Sequence, residues 1–121
     1  MLICGGVGPE TGVGKELIAR ALHEASGLRG SFVPVNVAGL DDTMFTDTLF
    51  GHRKGAFTGA DRTRLGRFDL AEGGTLYLDD VDDIHLEHQP KLLRVLEDKE
   101  FERVGGAAPI KADVRIVAST K

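Results

Sequence analysis

Three residues with the chemistry of phosphate binding stand near the start of the chain. Gly12, Gly14 and Lys15 fall between a short apolar run and a longer run with helical spacing. Glycines let backbone N–H groups turn toward phosphate oxygens, and a helix N-terminus adds partial positive charge, while a lysine reaches the outer phosphates. We therefore predict a nucleotide-phosphate site made of Gly12, Val13, Gly14, Lys15 and Glu16.

The loop before this lysine departs from the full phosphate-loop pattern G-x-x-x-x-G-K-[ST]. Pro9 replaces the first glycine, and Glu16 stands where a hydroxyl would hold magnesium. Two alternatives stay open from the residues alone. One is a shifted or lengthened loop that opens at Gly5, and the other is a flexible strand–helix turn that binds no phosphate.

A second element with matching chemistry is the acidic end of an apolar run. Residues 75–78 are apolar on both faces, as a buried parallel strand requires, and deliver Asp79 and Asp80 to its carboxyl end. Open α/β sheets bind ligands at that end. A carboxylate there, downstream of a phosphate loop, is the Walker B arrangement, in which Asp79 would hold magnesium through water.

The elements that must position these residues follow from the hydrophobic pattern. Short β-rich runs alternate with helical stretches, which predicts a parallel α/β sheet. We predict strands over 1–4, 32–37, 75–78 and 114–118, and helices over 15–26, 41–50, 67–72 and 87–99. Pro34 lacks the N–H that a central strand donates, so the second strand is expected at a sheet edge. Pro90 is tolerable only in a first turn, which places the last helix start near Glu87.

Composition narrows the classes of protein. A length of 121 residues suits one small domain with its own core. The formal charge of -4 lacks the basic footprint of a direct DNA binder, so we expect no direct DNA binding. The single cysteine, Cys4, is expected to be a small buried hydrophobe and suits a reducing cytoplasm. We find no signal peptide or long apolar run and expect no membrane contact.

A cluster of acids and histidines between the third strand and the last helix invites a metal interpretation. It consists of Asp82, Asp83, His85 and His88. The calcium-loop pattern needs a central glycine and a distant glutamate, and the zinc pattern needs two histidines four apart on one helix. The cluster offers neither, so we expect a solvated loop that leads into the helix.

The rarest stretch of the chain runs from Gly51 to Ala60. Gly55 and Gly59 permit backbone angles that other residues resist, so we expect the loop to display Phe57 with Thr58 beside it. An aromatic side chain on a hinged loop is suited to contact a partner. The alternative is an ordinary surface loop whose phenylalanine folds back onto the core.

The segment Gly55-Ala56-Phe57-Thr58-Gly59-Ala60 resembles, letter for letter, the GAFTGA loop of the sigma-54-dependent transcriptional activators, a bacterial branch of the AAA+ ATPases. Further segments resemble that family in the family's order and cover nearly the whole chain: Asn36, 49–52, 66–68, 73–76, 91–96 and 101–106. The resemblance implies a P-loop NTPase-type three-layer α/β sandwich with a mostly parallel sheet. It also implies that residues 1–121 are a truncated AAA+ core, from Walker A to sensor I.

The same resemblance implies an ATPase that uses ATP and Mg²⁺ to activate transcription by sigma-54 RNA polymerase. Lys15 would contact phosphates, Asp79 would hold Mg²⁺ and Asp80 would orient the attacking water. Asn36 would restrain the Walker B acid, although a strand-end cap on a turn is an alternative role. Thr120 would belong to sensor I. The loop from Gly55 to Ala60 would contact the sigma-54 subunit.

The chain also departs from the family at single positions. Asp80 stands where the family usually has glutamate, Lys121 where it generally has asparagine, and Arg53 where it often has glutamate. Aspartate is one methylene shorter, and a catalytic group misplaced by about 1 Å costs on the order of a hundredfold in rate. These departures motivate an alternative function, a truncated or degenerate AAA+ module that binds nucleotide or sigma factor without hydrolysis.

Several parts of the family's ATPase core are not found in these residues: the fifth strand, the arginine fingers and the helical lid. Receiver and DNA-binding domains are not found either. An arginine finger contributes on the order of a thousandfold to phosphoryl transfer, so we expect the isolated chain to turn over ATP feebly. The intact family domain forms hexamers, whereas this chain alone is expected to be monomeric or an edge-paired dimer.

Overall fold

The computed structural model describes residues 2–4, 12–38, 40–106 and 108–120. Within them the strands are β1 (Leu2–Cys4), β2 (Phe32–Asn36), β3 (Thr75–Asp79), β4 (Glu100–Phe101), β5 (Ile110–Lys111) and β6 (Arg115–Ser119). The helices are α1 (Gly12–Ser26), α2 (Asp42–Phe50), α3 (Arg67–Leu70) and α4 (Gln89–Asp98), with a 3-10 turn at Val81–Asp83.

The main sheet of the described residues is parallel, with strand order β1-β6-β3-β2. The strand that carries Pro34 therefore lies at one edge, as its missing N–H predicts. At the other edge, β1 pairs only with β6 within this sheet. The carboxyl ends of β2, β3 and β6 meet at one side of the sheet, with Asn36 in register with Asp79.

The two central strands bury both faces, and their residues alternate between two hydrophobic clusters. Leu76 and Leu78 of β3 belong to the larger cluster, together with residues of α2, α3 and α4, whereas Tyr77 packs on the opposite side with Ala19 of α1. Val117 of β6 joins Tyr77 there. The sheet is thus covered by helices on both faces, which confirms the three-layer α/β sandwich.

An antiparallel pair of two-residue strands, β4 and β5, was not predicted from the sequence. Phe101 of β4 is buried beside Phe50 and Phe68, with ring centroids 5.5 to 5.8 Å apart. Aromatic rings at these separations stabilise a core beyond their buried area. This aromatic cluster packs the end of α2, the start of α3 and β4 against one another.

Helix boundaries differ from the predicted ones by a few residues. α1 begins at Gly12 rather than at residue 15, because glycine costs little in a first turn whose N–H groups have no intrahelical partner. α4 begins at Gln89 rather than near Glu87, and Pro90 lies in its first turn as predicted. No helix in the described ranges is both long and apolar enough to span a bilayer.

A largely buried ion pair ties α3 to the segment after β4. Arg103 donates from both terminal nitrogens to the two carboxylate oxygens of Asp69, each at 2.7 Å, and also to the Phe50 carbonyl at 3.1 Å. The Gly66 N–H donates to the same carboxylate at 2.8 Å. Burial alone would raise the pKa of the Asp69 carboxyl, but the hydrogen bonds and the charge of Arg103 outweigh burial and hold that pKa below its ordinary value.

We expect Arg103→Ala to lower the free energy of unfolding by about 3 kcal/mol, because it leaves the Asp69 carboxylate buried without its partner. Arg94→Ala is the matched control. The Arg94 pairs with Asp98 and Glu102 are exposed and longer, 3.7 and 3.5 Å, and should contribute less than about 1 kcal/mol. Urea denaturation of both variants measures the difference; equal destabilisation would contradict a special role for the buried pair.

The same pair should make stability depend on acid. A carboxyl whose folded-state pKa is depressed contributes stability that is full above about pH 5 and is lost as the pH falls through the folded-state pKa. The gap in unfolding free energy between the unaltered chain and Asp69→Asn should therefore shrink below that pH. A gap that stays constant down to the acid-unfolding limit would contradict this.

Candidate functional site

The predicted phosphate-binding residues form the first turn of α1. Gly12 through Glu16 lie in this helix, while the loop with Gly5 and Pro9 lies outside the described residues. The Lys15 side chain is buried, and its ammonium group donates to the carbonyl of Thr120. Two residues that are 105 positions apart in the sequence are thereby brought together at the carboxyl end of the sheet.

A chain of hydroxyl groups orients Asp79 at the end of β3. The Ser119 hydroxyl donates to the Asp79 carboxylate at 2.5 Å, and the Tyr77 hydroxyl donates to Ser119 at 3.0 Å. Ser119 is fully buried and Asp79 is partly buried, so the contact lies at the boundary of the core. Ser119 was not among the predicted site residues; the signal that could have found it is a hydroxyl that directly follows the apolar residues 116–118 of β6.

Asp80 adopts the left-handed conformation, with φ of 61° and ψ of 45°. Aspartate reaches this region more readily than most residues with a side chain. The carbonyl of Asp80 accepts from the Asp83 N–H at 3.0 Å, which turns the chain from β3 into the 3-10 turn. Asp80 is half-buried and directly follows Asp79, so both carboxylates lie at the carboxyl end of β3.

Asn36 ends β2 in register with Asp79. Its side-chain oxygen accepts from the Ala38 N–H at 2.9 Å, which is the contact expected of a strand-end cap. The side chain is exposed. Its placement next to the acidic strand end agrees with both roles weighed from the sequence, and the restraint of the Walker B acid stays a prediction.

The carboxyl end of the parallel sheet therefore brings together the groups that nucleotide chemistry requires. The described members are Lys15, Asn36, Asp79, Asp80, Ser119 and Thr120. They provide a buried ammonium group, two adjacent carboxylates, an amide and hydroxyls at the carboxyl ends of three parallel strands. A cation can neutralise phosphate oxygens there, and a carboxylate can hold a divalent ion that bridges them.

The second candidate site is a hairpin over residues 52–64. Its arms are joined by two backbone hydrogen bonds between His52 and Arg64, at 3.0 and 2.8 Å. Its tip closes with a bond from the Gly55 N–H to the Ala60 carbonyl at 2.9 Å. Gly55 and Gly59 have φ of 82° and 92°, as predicted for the glycines that frame the tip.

Phe57 at this tip is neither fully displayed nor folded into the core. Its ring is 46% exposed and meets the ring of His52 edge-on, with centroids 4.8 Å apart. His52 is itself buried and bonded through Nδ1 to the Asp47 carboxylate of α2 at 2.6 Å. His52 thus forms a fixed support for Phe57, a role that the sequence pattern did not reveal.

A neighbouring turn over residues 104–106 supports the same hairpin. The Arg53 N–H donates to the Val104 carbonyl at 2.9 Å, and the Val104 N–H donates to the Gly51 carbonyl at 2.9 Å. A Cβ added at Gly105 would lie 2.6 Å from the Cβ of Ala56, so only glycine permits this approach. The loop tip therefore rests on the segment that carries Arg103.

The acid and histidine cluster after β3 does not converge. Asp82, Asp83 and His85 are exposed, whereas His88 is buried and stacks on Phe45 at 4.6 Å. The prediction of a solvated loop was therefore wrong for His88, because the aromatic face of α2 offers its ring a better contact. No group of metal-binding side chains was found in the part of the chain that the structure describes.

Comparison with protein families gives one match over the whole sequence. Residues 1–121 match the model of the sigma-54 interaction domain. The chain is 56% identical over 112 residues to the Nif-specific regulatory protein of Herbaspirillum seropedicae, which is 92% of this chain and 21% of that protein. It is 52% identical over 121 residues to the DNA-binding transcriptional activator HyfR of Escherichia coli K12, 99% of this chain and 18% of HyfR.

Solved structures agree with these similarities. A crystal structure of NtrX from Brucella abortus superposes with a TM-score of 0.84 at 43% identity, covering 99% of this chain and 25% of NtrX. A structure of NtrX in complex with ATP has a TM-score of 0.77 at 42% identity, covering 98% of this chain and 24% of that chain. The chain thus spans about a fifth to a quarter of these proteins.

Proposed function

Because this chain belongs to the family of sigma-54 interaction domains, we propose that it is the ATP-binding portion of an AAA+ domain whose parent protein activates sigma-54 RNA polymerase by hydrolysing ATP. Residues 1–121 would run from Walker A to sensor I of that domain. The observation that carries the proposal is that Lys15, Asp79 and Thr120 all lie at the carboxyl end of the parallel sheet. NtrX, with the same fold, has been solved with ATP and with ADP.

In this proposal the first turn of α1 receives the phosphates. The N–H groups of residues 12–14, which have no intrahelical partner, would point at phosphate oxygens, and Lys15 would exchange the Thr120 carbonyl for the outer phosphates. That exchange would couple nucleotide binding to the end of β6. Since Thr120 and the buried Ser119 are neighbours, the position of Asp79 would be sensitive to the same event.

The acidic residues and Asn36 would complete the reaction. Asp79 would hold Mg²⁺ through water, and the ion would supply positive charge beside the phosphates. Asp80 would orient and polarise the attacking water. Asn36, in register with Asp79, would restrain the Walker B acid until the partner engages. Thr120 would sense the phosphate state at the end of β6.

The hairpin tip from Gly55 to Ala60 would contact the sigma-54 subunit. Phe57 would leave its edge-on contact with His52 and insert into the partner, with Thr58 beside it. The turn over 104–106 and the Asp47–His52 pair would hold the base of the hairpin in place, since both touch it. We further propose that the intact domain self-associates, as a hexamer, and works in the cytoplasm without itself binding DNA.

A second candidate function is a module that binds nucleotide or sigma factor without hydrolysis. Asp80 favours it, because its carboxylate is one methylene shorter than that of glutamate and its backbone is fixed in the left-handed region. Steady-state ATP turnover by the full-length parent protein separates the two functions. Turnover that needs Lys15 supports the ATPase, whereas tight ATP binding without turnover supports the module.

We expect Ser119→Ala to raise the Mg²⁺ concentration needed for half-maximal ATP turnover by about tenfold, because groups that orient a metal ligand typically contribute 10- to 100-fold. Tyr77→Phe, which removes only the outer hydroxyl, should give a smaller shift in the same direction. Ser31→Ala, at an exposed position before β2, is the control. A magnesium requirement that Ser119→Ala leaves unchanged would contradict the orienting role.

A further inference from the structure

The hairpin over 52–64 concentrates positive charge on an acidic chain. Its arms carry four basic residues, Arg53, Lys54, Arg62 and Arg64, which we call the charged stalk, and one acid, Asp61. The hairpin therefore has a formal charge of +3 within a chain of -4, and the remaining residues carry -7. A separation of charge this large over 13 residues creates a local positive potential.

The fold holds these cations together and leaves them in solvent. The arms are joined at His52 and Arg64, and the Lys54 N–H donates to the Thr63 hydroxyl at 3.1 Å. All four side chains are exposed. Arg64 has a partner in Asp47 at 3.6 Å, while the other three form no ion pair with any described residue.

An uncharged tip stands directly on this stalk. Residues 55–60 carry no charge, and Phe57 and Thr58 are both exposed there. Protein interfaces usually combine an apolar anchor with a charged rim. The anchor supplies most of the affinity, and the rim supplies electrostatic steering and register. The hairpin therefore has both parts of such an interface within one short segment.

We propose that the charged stalk binds a carboxylate-rich segment of the protein that Phe57 contacts. This inference rests on the proposed function, in which that protein is sigma-54. An acidic peptide would set its carboxylates against Arg53, Lys54 and Arg62 while the aromatic tip inserts beside them. The uncharged tip with exposed Phe57 that adjoins the stalk favours a protein partner over a phosphate backbone, because an apolar anchor needs an apolar surface to pack against.

The test is the association of the full-length parent protein with purified sigma-54, measured without DNA and again with promoter DNA present. Association is measured without nucleotide, with ADP and with a non-hydrolysable ATP analogue, over a range of salt concentrations. The triple variant Arg53→Glu, Lys54→Glu, Arg62→Glu reverses the unpaired stalk cations. The control triple Arg29→Glu, Lys91→Glu, Lys111→Glu makes the same change in net charge at exposed positions outside the hairpin.

We expect the stalk triple to slow association by about tenfold or more at low salt and to remove most of its salt dependence, because rim charges act mainly on the encounter rate. The control should associate like the unaltered protein, and ATP turnover should be unchanged in both. Normal association of the stalk triple with free sigma-54 would overturn this inference alone. So would a defect that appears only on promoter DNA, which would assign the stalk to phosphates. Failure of the unaltered protein to bind sigma-54 in every nucleotide state would overturn the proposed function as well.

Discussion

Lys15→Met in the full-length parent protein is expected to lower ATP turnover by about a hundredfold or more. Cations that clamp a transferring phosphoryl group act in a pocket shielded from water, where losing one donor costs about 100- to 1,000-fold in rate. The buried ammonium group of Lys15 donates to the Thr120 carbonyl, so it already lies at the carboxyl end of the sheet, where the phosphates would bind. Titration calorimetry with magnesium-ATP should also show weaker binding, because the same ammonium group would contact the phosphates of the bound nucleotide.

Methionine is chosen because it keeps most of the length of the lysine side chain and its packing while removing the charge. Lys91→Met, at an exposed position of α4, is the matched control and should behave like the unaltered protein. Thermal unfolding of Lys15→Met shows whether the fold survives. A folded Lys15→Met protein that binds and hydrolyses ATP normally would mean that the first turn of α1 is not the phosphate site.

Phe57→Ala is expected to abolish most activation of a sigma-54 promoter while leaving ATP turnover intact. A buried aromatic anchor typically contributes about 2 kcal/mol or more to an interface, which corresponds to about 30-fold in affinity. Phe57 is 46% exposed and its ring contacts His52, which is not a residue of the proposed nucleotide site, so its loss should spare that site. Transcription in vitro and ATP turnover, measured on the same preparation, check both halves.

Leu65→Ala is the control for Phe57→Ala. Leu65 is an exposed apolar residue that directly follows the hairpin, and it is outside the proposed contact. Phe57→Tyr should retain a large part of the activity, because it keeps the ring. Normal activation by Phe57→Ala, or a parallel loss in the Leu65→Ala control, would show that the tip is not the specific contact with the sigma factor.

The architecture could be predicted from the sequence where one residue or one pattern had a single physical solution. Pro34 has no N–H to donate to a neighbouring strand, and the structure places β2 at the sheet edge. Residues 75–78 are apolar on both faces, and β3 is buried on both. Asp79 and Asp80 follow from that strand, because the end of a buried parallel strand fixes the location of the next residues.

Other features could not be predicted, because they depend on contacts between distant residues. β4 and β5 have two residues each, too few to show an alternating pattern, and they exist because Phe101 packs with Phe50 and Phe68. The bond from Ser119 to Asp79 joins residues 40 positions apart. The sequence left two alternatives for Phe57, a displayed ring or a ring folded back onto the core. The structure lies between them, since the ring is half-exposed and packs against the buried imidazole of His52.

In the proposed function, ATP hydrolysis at the carboxyl end of the sheet drives the hairpin tip against the sigma factor. The most direct measurement is the opening of a sigma-54 promoter, followed by the fluorescence of a base analogue near the start site, with the full-length parent protein and polymerase. We predict opening with ATP, none with a non-hydrolysable analogue, and none when the polymerase carries a different sigma factor. Opening that proceeds equally well with the analogue, or with the other sigma factor, would contradict the claim.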